Sequence, residues 1–256
     1  MRKMVLNLGI MALLSTGAVA SDKEVITDKE LKEMKKVYYE KHWDYSQNGP
    51  THWEEFSKTC GKGNYQSPVN IIPGKTMSMD PEYDLEMHDD ITGVARIIDN
   101  GHSIKVTPEH GGSITLNGQK FNLLQFHFHG KSEHTINGKR YDMVAHMVHQ
   151  NPKTKQLAVV AVFFTEGKEN KVLEKIIHNV GGKVKINPQD FVPLQTAHYY
   201  HYVGSLTTPP CSENVQWYLL KTPQPATKEQ IAHFRKYYVD NERPVQELHD
   251  RVIDSK

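Results

Sequence analysis

The sequence predicts a single domain, mainly β with peripheral helices (α+β), on three observations. Short extended runs alternate with turn signals from Trp43 onward, Leu157 to Phe164 is a continuous apolar run, and helical periodicity is confined to a few short stretches. At 256 residues, 38% of them hydrophobic, the chain can bury one sizeable core and does not require several domains. No repeat, low-complexity tract or linker divides it. A formal charge of +1 at pH 7, falling to −1 without Arg2 and Lys3, advertises no nucleic-acid or membrane-surface partner.

Taken in order, residues 1–20 read as a secretory signal peptide: a basic start, an apolar stretch from Val5 to Leu14, and Ala18-Val19-Ala20 as a cleavage site before Ser21. The apolar run is too short to span a bilayer, which leaves no membrane span in the mature chain. The expected destination is the periplasm or the exterior. Residues 21–41 form an N-terminal helical extension in which Thr27 and Glu30 fit a capping box and Leu31, Met34 and Tyr38 share a face. That face lies either on its own domain or against a second copy, so a homodimer stays open.

Beyond residue 41 the turn signals are Asn48-Gly49-Pro50, Asn100-Gly101, Asn117-Gly118 and Asn137-Gly138. The segment around Asn117-Gly118 reads as a hairpin, and the apolar run at Leu157 as a strand buried on both faces. Leu173, Ile176, Ile177 and Val180 make one helical face ending at Gly181. Thr227 and Gln230 cap a second helix carrying Ile231, Phe234 and Tyr238. In an exported chain the only two cysteines, Cys60 and Cys211, are expected to pair.

Five of the fifteen histidines fall between Leu123 and Asn151. In a strand Gln125, His127 and His129 share one side while Phe126 and Phe128 share the other. The turn at Asn137-Gly138 returns the chain, so that Val144, His146 and Val148 share a face of an antiparallel neighbour. Three neutral imidazoles on rigid strands, with no cysteine to complete a tetrahedron, make the open kind of Zn²⁺ site that keeps a fourth position for water.

Those residues, QFHFH, SEHT and AHMVH, resemble the zinc signature of the α-class carbonic anhydrases. HWDYSQNGPTHW (His42 to Trp53), QSPVNI, NGHSIKV, YVGSLTTPPC and NERPVQ resemble further segments of that family in the same order. The resemblance implies a twisted, mostly antiparallel sheet of about ten strands over residues 42–256, and reversible hydration of CO₂ to bicarbonate and a proton. It implies His127, His129 and His146 as zinc ligands, with Gln125 and Asn241 behind them. Thr207 would orient the reacting oxygen and Glu133 would accept from the Thr207 hydroxyl. His102 matches the family's proton shuttle, which suits the ordinary imidazole pKa of about 6.5.

By the same resemblance Tyr45, Asn100, Lys105 and Tyr202 would line a watered side of the cleft, with Thr208 at the substrate. Val148, Val159, Leu206, Val215 and Trp217 would form an apolar wall for CO₂. His134 and His149 are assigned to structure. The sequence departs from the family at Val144, where a glutamate commonly bonds the third ligand's free nitrogen, and at Lys105, whose charge is expected to depress the pKa of His102. A metal-free binding scaffold and a zinc buffer are the competing classes, and a weak esterase activity is also implied.

Overall fold

The computed structural model describes residues 42–79, 84–88 and 90–256. The signal peptide and the N-terminal helical extension therefore lie outside the described residues. Among the described residues no helix is long and apolar enough to cross a membrane.

The strands are β1 (Asn70–Ile71), β2 (Met77–Ser78), β3 (Leu85–His88), β4 (Gly93–Asp99), β5 (Ile104–Pro108), β6 (Ser113–Leu116), β7 (Gln119–His129) and β8 (Thr135–Ile136). After them come β9 (Met143–Gln150), β10 (Leu157–Glu166), β11 (Lys183–Ile186), β12 (Tyr199–Ser205), β13 (Glu213–Leu220), β14 (Gln224–Ala226) and β15 (Asp254–Ser255). Thirteen of them join one sheet whose continuous path is β11-β4-β5-β7-β9-β10-β13-β12-β15-β2, while β1 and β8 pair separately. That path matches the expected strand number, with β3, β6 and β14 attached beside it. Pairing is mostly antiparallel, with parallel contacts where β10 meets β13 and β14 and where β15 meets β2.

The turn signals explain the local geometry. Asn117 and Gly118 both take positive φ, as a two-residue hairpin requires, and Leu116 pairs with Gln119 across them. Asn137 and Gly138 do the same between Ile136 and Lys139. The sheet divides two apolar layers because side chains alternate along each strand. On β10, Ala158, Val160, Val162 and Phe164 enter the larger core, and Val159, Ala161 and Phe163 enter the smaller one.

Four α-helices are described, α1 (Trp53–Phe56), α2 (Lys58–Lys62), α3 (Lys171–His178) and α4 (Lys228–Arg235), with short 3-10 turns at Pro73–Lys75 and Pro188–Phe191. In α3 the Asn170 side chain accepts from the amide of Leu173, and Leu173, Ile176 and Ile177 cover the larger core. The expected capping box of Thr227 and Gln230 starts α4, which buries Ile231 and Phe234. Tyr238 lies beyond that helix, not on it, with its hydroxyl donating to Asp99.

A bulge in β7 decides which way the histidines face. Phe121 and Leu123 point into the larger core, yet so do Phe126 and Phe128, so the parity changes between them. The register shift falls between Leu123 and Gln125, where Leu124 stands 43% exposed. One extra residue there turns His127 and His129 away from the phenylalanine layer.

Candidate metal centre

Neighbouring strands bring the histidines together. His127 pairs with His146 across β7 and β9, His129 with Val144, and Gln125 with Val148. One ligand atom from each of His127, His129 and His146 falls within 4.8 Å of the others. His129 and His146 are buried, and His127 is open on one side.

The remaining ring nitrogens fix the orientation. His127 Nδ1 lies 3.0 Å from Gln125 Oε1, and His129 Nδ1 lies 2.6 Å from the carbonyl of Asn241. A carbonyl can only accept, so His129 carries its proton on Nδ1 and offers a lone pair at Nε2. That Nε2 is buried with no hydrogen-bond partner, as a metal ligand would be. Burial, then the neighbouring charges of His129 and Lys105, hold His127 well below the ordinary imidazole range. Burial and the other histidines do the same for His146. Neutral converging imidazoles fit Zn²⁺ and leave its fourth position open.

Asn241 is used at its carbonyl and at both polar atoms of its side chain. Besides its carbonyl, its Oδ1 accepts from the amide of Gly130 and its Nδ2 donates to the carbonyls of His102 and Phe128. It locks the strand end that carries His129 to the loop that carries His102. Glu133 is fully buried, with Oε1 accepting from the Arg243 amide at 2.8 Å. Its Oε2 sits 3.5 Å from His129 Nε2 and 3.7 Å from His146 Nδ1 and has no hydrogen-bond partner. The expected bond from Thr207 to Glu133 is therefore not formed here, although Thr207 is buried.

His102 lies flat on Trp43, ring centres 3.7 Å apart at 14°, and its Nδ1 is buried without a partner. Its pKa is lowered by burial first, with Asp44 opposing and His42 reinforcing. This corrects the expectation for Lys105, which pairs with His127 across β5 and β7 and acts on that residue instead. Asn100 Oδ1 is committed to the amides of His102 and Ser103, so it shapes the loop. Tyr45 is partly buried, and burial followed by Glu133 and Glu242 raises its pKa well above the ordinary phenol value.

Tyr202 is the clear departure. Expected on the watered side, it is 1% exposed, with its hydroxyl 2.6 Å from Ser67 Oγ and 2.6 Å from His134 Nε2. β12 is buried along nearly its whole length, and Tyr202 is paired with Trp217 of β13, whose ring stacks 6.4 Å from its own.

Val148, Val159, Val215 and Trp217 do gather in the smaller core, with Leu206 packed against them and Val144 among them. Thr208 is partly exposed, and its carbonyl accepts from the amide of Cys211. Cys60 and Cys211 are joined, with an S–S distance of 2.08 Å.

Arg243 was missed by sequence reasoning, although it lies inside NERPVQ. Its guanidinium donates to Gln66 Oε1 and to the carbonyls of Ser67 and Cys60, at 2.7–2.9 Å. A lone arginine in a loop motif gives no sign of its partners, which are 176 to 183 residues away.

A large mixed sheet with three inward imidazoles on adjacent strands defines a zinc-type metalloenzyme scaffold. The family model for eukaryotic-type carbonic anhydrase matches residues 48–256. The chain belongs to that family and is a carbonic anhydrase. It is 40% identical over 228 residues to a carbonic anhydrase of Neisseria gonorrhoeae, covering 83% of this chain and 87% of that one. It is also 36% identical over 225 residues to one of Pectobacterium carotovorum, covering 83% and 90%. Among solved structures, the α-carbonic anhydrase of Thermovibrio ammonificans in complex with sulfanilamide is 39% identical with a TM-score of 0.77, over 83% of this chain and 98% of that chain.

Proposed function

We propose that the chain, exported, cleaved before Ser21 and carrying its catalytic domain over residues 42–256, reversibly hydrates CO₂ to bicarbonate and a proton at Zn²⁺. His127 and His129 would hold the metal through Nε2 and His146 through Nδ1. The observation that carries this reading is the approach of three imidazoles to within 4.8 Å while Gln125 and Asn241 occupy the outer nitrogens of two of them. When bound, the metal supplies a Lewis acid that turns water at its open position into a nucleophile near neutral pH.

The chain's own residues would supply the rest. Val148, Val159, Leu206, Val215 and Trp217 offer an apolar wall to a substrate without charge, beside Thr208. Thr207 would orient the attacking oxygen, and Glu133, whose Oε2 has a free lone pair, would accept from the Thr207 hydroxyl. His102 at the cleft loop would take the released proton and pass it to buffer, with Tyr45, Asn100 and Lys105 beside that route.

Stopped-flow CO₂ hydration together with measured zinc content tests the reading. One zinc per chain with rapid hydration is the expected result. Zinc without turnover would favour metal buffering, and a fully folded chain that takes up no zinc would favour a scaffold.

A further inference from the structure

Two buried ring nitrogens beside the centre have no partner: Nε2 of His146 and Nδ1 of His134. Neither faces bulk solvent, because both residues are buried and both rings pack on Trp217, with centres 4.9 and 4.6 Å from it. A buried donor or acceptor left unpaired costs the whole of its desolvation. Two such atoms on neighbouring rings that pack on the same indole call for a shared partner. Val144, two residues before His146 on the same face of its strand, offers only methyl groups and is fully buried.

The spacing says what that partner is. The ring centres of His134 and His146 are 6.3 Å apart with planes at 76°. Imidazoles joined directly by N–H···N have centres about 5 Å apart, and one water between them opens this to roughly 6–7 Å. A third group already fixes the far side of His134: its Nε2 is 2.6 Å from Tyr202 Oη, which is 2.6 Å from Ser67 Oγ, which accepts from the amide of Ser205 at 3.0 Å.

We infer that a single buried water bridges His146 Nε2 to His134 Nδ1, so that the chain Ser67–Tyr202–His134 positions the third ligand in place of a carboxylate at residue 144. This rests on the zinc reading, since it takes Nδ1 of His146 as the metal-facing atom. The direction of the bonds follows. His146 Nε2–H donates to the water, the water donates to His134 Nδ1, His134 Nε2–H donates to Tyr202 Oη, and the Tyr202 hydroxyl donates to Ser67 Oγ. Each imidazole N–H and the Tyr202 hydroxyl then has an acceptor. The opposite direction would aim two N–H groups at one water with no acceptor for its own protons. His134 and Tyr202 are positioning residues: neither touches the reacting atoms.

The test uses the zinc-loaded full-length mature protein and three variants, Tyr202→Phe, His134→Phe and Val144→Glu. Tyr202→Phe removes one oxygen and preserves the ring, so it keeps the proposal testable if His134→Phe fails to fold. Zinc loss to a chelator should quicken about tenfold in Tyr202→Phe, the low end for losing a partner behind a metal ligand. In the Val144→Glu background the same substitution should change the rate less than about twofold, because the carboxylate accepts from His146 directly. Nitrogen-15 spectra of the parent should place the His134 proton on Nε2. Parent-like zinc loss in Tyr202→Phe, an equal effect in both backgrounds, or a His134 proton on Nδ1 would overturn the bridge. A folded parent that takes up no zinc would refute the zinc reading instead, and the His134 tautomer would still decide the bridge.

Discussion

The backbone amide of Arg243 holds Oε1 of Glu133 at 2.8 Å, while its guanidinium holds the carbonyl of Cys60 at 2.7 Å. One residue thus ties the buried carboxylate of the site to the disulfide-bearing loop. Arg243→Met keeps the amide and most of the volume but strips three oxygens of their donors. Breaking a buried charged network of this kind costs about 3–5 kcal/mol, and urea denaturation should show a loss of that order. A variant within about 0.5 kcal/mol of the parent would mean that water replaces the guanidinium at no cost.

His129→Ala removes a lone pair that no other described side chain supplies at that point. Stoichiometric zinc should be lost on gel filtration, together with CO₂ hydration. Full retention of both would contradict the assignment of the ligands.

The Cys60–Cys211 bridge spans 151 residues and brackets the segment carrying Thr207. In the chain-entropy model closing a loop of that length stabilises by about 5 kcal/mol, as an upper figure. Reduction should lower the urea midpoint markedly and increase amide exchange first around residues 205–213. Unchanged denaturation after complete reduction would show that the unfolded chain gains little freedom from the cut.

His102→Ala should slow kcat at least about tenfold at low buffer, since a positioned acid–base group contributes that much or more. The value of kcat/KM for CO₂ should barely move, and imidazole at tens of millimolar, a concentration on the order of that needed for diffusive rescue, should restore turnover. Parent-like kcat at low buffer would remove His102 from the proton route.

Burial beside Trp43 lowers the pKa of His102, so Trp43→Ala should raise it toward the ordinary imidazole value. The sign for stability follows from the same shift. As pH falls through the ordinary imidazole range, the unfolded chain binds a proton that the folded chain refuses, and this residue's contribution turns unfavourable. Proton NMR titration of the His102 ring reads the shift directly, and equal midpoints in parent and variant would place its cause elsewhere.

Much of this was legible in the sequence because it is local. The spacing of His127 and His129, the turn at Asn137-Gly138 and the capping box at Thr227 each depend on residues within a few positions. The bulge at Leu124 was not legible, because it arises where β7 exchanges β6 for β5 as its partner, a matter of pairing between distant segments. The burial of Tyr202 was hidden for a similar reason. An aromatic with a hydroxyl suits a wet wall or a dry network equally, and its partners Ser67 and His134 lie 135 and 68 residues away. Lys105 looked like a neighbour of His102 by number, but the strand turns it to His127.

The parity change in β7 also says how this chain can be inherited. Past the bulge, even-numbered residues hold the fold together and odd-numbered ones carry the chemistry, so point substitutions can alter the two almost separately. Losing a histidine there leaves every phenylalanine in place, and descendants that abandon the metal can keep the architecture. One further residue inserted beside Leu124 is different in kind. It would swap the two sets, sending imidazoles into the oily layer and phenyl rings into the cleft, whereas deleting Leu124 removes the extra residue and leaves both sets facing as they do. At this position lengthening the strand is therefore less survivable than shortening it or exchanging a ligand.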